Sequence, residues 1–424
     1  MFLQFITTIF LIVSTNLFGE QMIEVVKSVN QLTPVAIEDG TTDPKFEELS
    51  KKFHRLISND MMLLTRFEVS DVYQKGDFSA NSNFANRSAN YNIKFQLYSD
   101  SGIGGLSCDV RLIDIARGTD ILIKKYKIKS KDKYPFLAHE IVGDINIKLG
   151  GENVDWLKKY VIFSRYTKPK QSEIVIGDYT LTYTHTIVSN GLNLFPKWAN
   201  NSQNEFYFTR YEKNQPTLYK MNLYTNEYEK ILQTDGMLSC SDISANGKEM
   251  LLTMAPKGQP DIYLYNLETK KLKQLTRDLA IDVSASFIDN DTRMAFVSDR
   301  LGFPNVFAQS VRNSENIADQ LVFSGKNNNS CASYGKYIVY SARENDSEFA
   351  HNTFNLHLIS TDTNLIRRLT ASGMNILPKF SADGESILFI KQTNNGSSLG
   401  ILRLSYNKSF LFPLNVGKIQ SIDW

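Results

Sequence analysis

Cysteine is scarce in this 424-residue chain: the three present, at 108, 240 and 331, are too few and too widely spaced for a disulfide framework. They are expected as buried free thiols. The five histidines, at 54, 139, 185, 351 and 357, include no pair at metal-ligand spacing, and no complete calcium loop of alternating Asp followed by Gly and a late Glu occurs. No metal and no cofactor are therefore expected. An excess of one charge is missing as well, since 47 Lys and Arg face 45 Asp and Glu and the basic residues are scattered, which argues against nucleic-acid binding. The short runs Lys124-Lys125 and Lys129 to Lys133 read as solvated edges. Gly102, Gly104 and Gly105 lack the third spaced glycine of a phosphate cradle and are followed by a strand, so a hairpin loop is the better reading.

Long apolar runs are absent apart from one. Phe2 to Phe18 carry no charge and are followed by Gly19 and Glu20, the layout of a secretory signal with a small residue at the cut. A bilayer span needs about 20 apolar residues, so this run is only marginally long enough. Residues 1–19 are accordingly assigned to a removed signal peptide, and the exported remainder to a form without membrane insertion.

What the chain does have is strand. Apolar residues make up 42% and charged residues 22%, an ordinary globular balance, and 20 Tyr with 26 Phe lean toward sheet. The length exceeds one compact core, and two domains are expected: 20–155, small and α/β, and 156–424, all-β.

In the first domain, Val25-Val26 and Pro34 to Ile37 look like strands. Asp43 as N-cap with Pro44 at the first position predicts a helix whose apolar face is Phe46, Leu49, Phe53, Leu56 and Ile57. Strict alternation at Tyr91, Ile93, Phe95, Leu97 and at Leu106, Cys108, Val110, Leu112 predicts two strands buried on one side. A further strand over Ile121 to Ile128 precedes a helix from Tyr134 to Leu149, closed by Gly150-Gly151. His139 in that helix is read as a packed or hydrogen-bonded core histidine.

The second domain repeats itself. Segments starting at Phe195 (FPKWANNSQNEFYFTR), Ser239, Ser284, Ser330 and Leu377 (LPKFSADGESILFIKQ) share a short strand ending on an aromatic or apolar residue, a polar turn and an apolar strand. Two more strands follow in each, and Leu232, Leu275, Leu321, Leu369 and Leu414 recur at steps of 43, 46, 48 and 45 residues. That is the size of a four-stranded propeller blade. One more unit is assembled from both ends, Ile419 to Trp424 supplying the inner strand and Tyr160 to Asn190 the other three. The predicted architecture is a small N-terminal α/β domain followed by a six-bladed β-propeller closed by the C-terminal strand.

The PKW and PKF first strands, the Ala-Asp-Gly turn, the LT-type last strands, the helix around Ala138-His139 and the joining strand Phe163-Ser164-Arg165-Tyr166 together resemble the TolB family. The resemblance covers about Glu24 to Trp424. It implies a monomeric, non-enzymatic periplasmic scaffold of the Tol-Pal system. Such a protein would bind the peptidoglycan-associated lipoprotein Pal through the propeller and TolA through its N-terminus, supporting outer-membrane integrity and constriction during cell division.

Loops from the last strand of one blade to the first of the next share one face of a propeller, and loops on a rigid scaffold carry recognition. Asp235, Gly236, Met237, Ala280, Ile281, Asp282, Asn327, Asn328, Gly373, Met374, Asn375 and Lys418 are therefore the candidate Pal contacts. Met22, Ile23, Glu24, Val25 and Val26 are the candidate TolA segment, suited to strand addition. The rival reading is a propeller-domain hydrolase or a peptidase-associated propeller, against which no G-x-S-x-G nucleophile elbow is expected.

Overall fold

The computed structural model describes residues 32–70, 72–80, 89–100, 105–313, 317–344, 353–394, 396–415 and 417–424. The signal assignment over residues 1–19, the TolA segment Met22 to Val26, the Gly102 and Gly104 loop and His351 lie outside the described residues.

Among the described residues the first domain is a five-stranded sheet of order β2-β1-β3-β4-β5, with β1 Thr33–Asp39, β2 Phe67–Val69, β3 Tyr91–Ser99, β4 Leu106–Asp114 and β5 Thr119–Ile128. Helix α1, Glu47–Leu63, and helix α2, Tyr134–Lys148, pack on it. Asp43 does cap the chain before α1, accepting from the Lys45 amide at 3.0 Å, but the residues it starts, Pro44–Phe46, form a 3-10 turn and the α-helix begins one turn later. The helix then buries Phe53, Leu56 and Ile57 as their spacing requires. One face of β3 holds Ile93, Phe95 and Leu97 in the core. Its other face is covered as well, for Lys94 is buried with its Nζ 3.0 Å from Glu38 and 2.8 Å from the carbonyls of Asp77 and Ala80. A buried lysine is tolerated there because a carboxylate and two carbonyls replace its water. The exposed edge β5 carries Lys124, Lys125 and Lys127, charges that discourage edge pairing.

The second domain is strand-rich throughout. Strand pairing gives four four-stranded sheets and one eight-stranded sheet, the latter two four-stranded units touching through the single parallel pair Phe354↔Met374. Each unit is an antiparallel meander, and its innermost strand is Asn193–Trp198, Leu238–Ile243, Asp282–Ile288, Asn328–Tyr334, Met374–Phe380 or Lys418–Asp423. The last of these pairs with Val161–Lys168, so the end of the chain completes the unit that opens the domain. A lone four-stranded unit leaves both apolar faces wet. Neighbours bury them: Ile162 and Ile176 with Phe206 and Phe208, Leu251 with Phe296, Val339 with Phe389. The three thiols, Cys108, Cys240 and Cys331, are free and buried.

Candidate functional site

Antiparallel connection puts the starts of all inner strands at one end of the propeller, here called the loop face, and their ends at the other. The α/β domain packs on that other end, where the Phe136 ring of α2 meets that of Tyr183 at 5.7 Å and Lys133 donates to the Tyr160 hydroxyl at 3.0 Å.

Every inner strand is broken by a bulge, at Phe195, Ser241, Ser284, Ser330, Leu377 or Gln420. Phe195, Ser284, Ser330 and Leu377 take positive φ, from 47° to 55°, a conformation that side chains resist and that neighbours must hold. They are held by their neighbours around the axis. Ser421 accepts from the Phe195 amide at 3.1 Å and Ser330 from the Leu377 amide at 3.3 Å. The Asp423 and Asp242 carboxylates accept from the amides of Trp198 and Phe287, both at 2.9 Å. Each bond runs from one unit to another, so the axis is stitched as well as packed.

The candidate loop residues divide into two groups. Asp235, Gly236, Ile281, Gly373 and Lys418 are exposed, and Met237, Asn327 and Met374 are half-buried. Ala280, Asp282, Asn328 and Asn375 are buried, and the last three pin the loop rather than offer it to a partner. Asn328 donates to Asn305 and the Ser324 carbonyl at 2.9 and 2.7 Å, and Asn375 donates to the carbonyls of Phe354 and Ser372, both at 3.0 Å. Asp282 pairs with Arg300 at 3.1 Å; burial pushes its carboxyl above the usual range, against the lowering effect of Ser298 and Arg300. Gly236 is required where it stands: its φ is +72°, and a Cβ would lie 2.1 Å from the Ala255 carbonyl.

The sequence reading missed the most exposed apolar groups on this face. Leu279, Leu301, Phe303 and Phe323 join Ile281 there, each between 49% and 94% exposed. Their loops are tied together, Ile281 N to Asp299 Oδ1 at 2.7 Å and Asn328 N to the Pro304 carbonyl at 2.8 Å. Exposed apolar groups gathered on loops that are tied to one another are a usual mark of a protein-binding surface. The available signal was Leu301 and Phe303 inside the Asp299 to Pro304 turn, where polar residues are the rule.

At the opposite end the two domains share a buried charge cluster. His139 of α2 lies with Nδ1 2.6 Å from Asp60 of α1 and Nε2 3.4 Å from Asp178, which follows the propeller strand Gln171–Gly177. Tyr179 donates to the second Asp60 oxygen, and the Tyr183 amide donates to Asp178 at 2.6 Å. Burial lowers the imidazole pKa, but the Asp60 charge and the hydrogen bonds to Asp178 and Asp60 outweigh it and raise it to about 9. The histidine is thus a cation between two carboxylates. All three side chains are fully enclosed, so this triad has no route to a substrate and acts as a bolt between domains.

A G-x-S-x-G string is present after all, Gly396-Ser397-Ser398-Leu399-Gly400, which corrects the expectation that none exists. It runs within the strand Gly396–Arg403, where Ser398 pairs with Lys391 and Pro413. A nucleophile elbow is a strained turn between a strand and a helix, so this serine is not one. Among the described residues no group of three His, Cys, Asp or Glu is placed to hold a metal ion, and no helix is long and apolar enough to cross a membrane.

Residues 157–424 match the family model described as the TolB beta propeller domain. The chain is similar to the Tol-Pal system protein TolB of Wolinella succinogenes, 42% identical over 416 residues that cover 97% of each chain. It is equally similar, 42% over 421 residues and 99% of each chain, to the Tol-Pal system protein TolB of Campylobacter jejuni strain RM1221. Its fold matches the crystal structure of TolB from Acinetobacter baumannii with a TM-score of 0.73 at 20% identity, covering 94% of this chain and 97% of the other.

Proposed function

Because the chain belongs to the TolB family of Tol-Pal system proteins, we propose that it is a periplasmic, non-enzymatic scaffold whose loop face docks the lipoprotein Pal. The reading extends to the segment Met22 to Val26 as the part offered to TolA, and to a role in outer-membrane integrity and envelope constriction.

The observation that carries the docking reading is the apolar cluster Leu279, Ile281, Leu301, Phe303 and Phe323 on tied loops, opposite the face that the α/β domain occupies. Polar residues stand on the same loops, Asp278, Asp299, Lys326 and Asn327 among them. Energetic anchors of protein interfaces sit in such apolar centres surrounded by polar groups. The buried Asp282, Asn328 and Asn375 give the face its rigidity, which keeps the entropy cost of docking low.

Two substitutions test this. Ile281→Asp together with Phe303→Asp places two charges in the cluster without touching a buried side chain, and calorimetric titration with Pal is expected to show at least a hundredfold loss of affinity, about 3 kcal/mol. Unchanged affinity in a variant with an unaltered melting profile overturns the docking reading. For the second partner, a chain starting after Lys27 is expected to lose TolA binding while keeping Pal binding. Retained TolA binding removes that assignment and leaves the first intact.

A further inference from the structure

All three tryptophans of the chain, Trp156, Trp198 and Trp424, line one cavity of about 460 Å³. It lies at the end of the propeller away from the loop face, where the inner strands Asn193–Trp198, Leu238–Ile243 and Lys418–Asp423 run out. Trp156 reaches it from the turn Asp155–Lys158 that joins the two domains. Pockets for small molecules have volumes of about 300–1,000 Å³ and combine apolar rings with a few polar groups, so the size is suitable.

What the walls offer decides the guest. Lys159, Lys197, Asp242 and Asp423 are the charged residues there, two of each sign, and Lys197 stands 3.3 and 3.1 Å from the two carboxylates. Lys159 donates to the Asn201 carbonyl. An ion would have to displace a partner already in place, so the pocket does not call for one.

Two kinds of group are left unspent. At the exposed rim, Nδ2 of Asn200 and of Asn246 and the whole carboxamide of Asn201 make no hydrogen bond among the described residues. In the wall, Trp156 and Trp198 are buried and Trp424 half-buried, and none of the three indole N–H groups has an acceptor among the described residues. A buried indole N–H usually has one. Trp424, which meets Trp156 at 5.3 Å, is the ring with surface still to give.

We propose that this pocket binds an uncharged pyranose sugar of one or two rings, lying against Trp424 with its hydroxyls toward the asparagine rim. A pyranose packs its C–H face on an aromatic ring while its hydroxyls donate and accept, so it uses both unspent kinds of group at once. A purely apolar guest would desolvate the carboxamides without pairing them. The inference is independent of the docking reading, because the pocket and the loop face lie at opposite ends of the inner strands.

The chain is its own reporter, since every tryptophan it has lines the pocket. Indole emission of the exported chain is followed while cellobiose or N,N′-diacetylchitobiose is added, with glycerol at equal osmolarity as the blank. A saturable change is expected with at least one of the two sugars. Asn201→Ala combined with Asn246→Ala, both exposed, is expected to weaken binding about tenfold, and Lys418→Met on the loop face to behave as the parent. Trp424→Leu is expected to abolish binding, read there by saturation transfer to the sugar protons because the variant lacks one of the fluorophores. No saturable change with either sugar, or parent affinity in both pocket variants, refutes the site. Should Trp424→Leu fail to fold, the asparagine variant decides alone, parent affinity in it being the refuting result.

Discussion

A chain ending at Gly417 is expected to lose the cooperative melting of its propeller. The strand removed, Lys418–Asp423, pairs with Val161–Lys168 and buries Ile419 and Ile422 almost completely. Each such isoleucine contributes about 1.5–3 kcal/mol by burial. With the strand go the Ser421 and Asp423 acceptors that hold the amides of Phe195 and Trp198, each amide costing about 1–3 kcal/mol if left buried and unpaired. Together these losses approach the whole stability of an ordinary domain, about 5–15 kcal/mol. Circular dichroism melting with limited proteolysis checks it: a sharp transition with an uncut 156–417 fragment would contradict the closure argument. The point substitution Asp423→Ala, which spares the strand, is expected to cost about 3 kcal/mol, as Lys197 keeps Asp242 but the Trp198 amide loses its acceptor.

Asp60→Ala is the second large effect, expected at about 3–5 kcal/mol because it leaves the buried imidazolium with only the longer contact to Asp178. Tyr179 loses its acceptor as well, and one side of the domain contact opens. The parent chain should also reveal the cluster through pH. His139 holds its proton up to about 9 in the fold, against an ordinary value of 6.5. Its contribution is therefore complete below pH 6.5. Between 6.5 and about 9 the folded chain binds a proton that the unfolded chain does not, so stability falls by about 1.4 kcal/mol per pH unit. Above about 9 nothing of it remains. Urea midpoints at pH 6, 7.5 and 9 measure the slope, and His139→Gln should flatten it; an equal slope in that variant would assign the effect to other groups.

Much of this was open to reading before any coordinates. Alternation at Tyr91, Ile93, Phe95 and Leu97 marked a strand because its period is two, and the recurring Leu232, Leu275, Leu321, Leu369 and Leu414 marked equivalent strands because a repeated unit must reuse its core positions. The strand Phe67–Val69 escaped because three residues show no period. Loop position suggested contact for Asp282, Asn328 and Asn375, yet the amides of Asn328 and Asn375 are spent on the preceding unit, a pairing that only the ring creates, and the Asp282 carboxylate on Arg300 across its own unit. His139 was legible as a core histidine. Its partners were not, since Asp60 and Asp178 stand 79 and 39 positions away and meet it only when the domains dock.

The seam of the ring also has a temporal side. Ser164 and Ser421 share a hydrogen bond across 257 positions, and the sealing strand is synthesised after every other strand of the ring. Until it arrives, the first unit exposes an open edge, and native contacts of such long reach form slowly. Closure of the ring thus waits on the last strand to be made. A nascent chain missing only its final stretch is expected to be cut by proteases at that open edge more readily than the finished one.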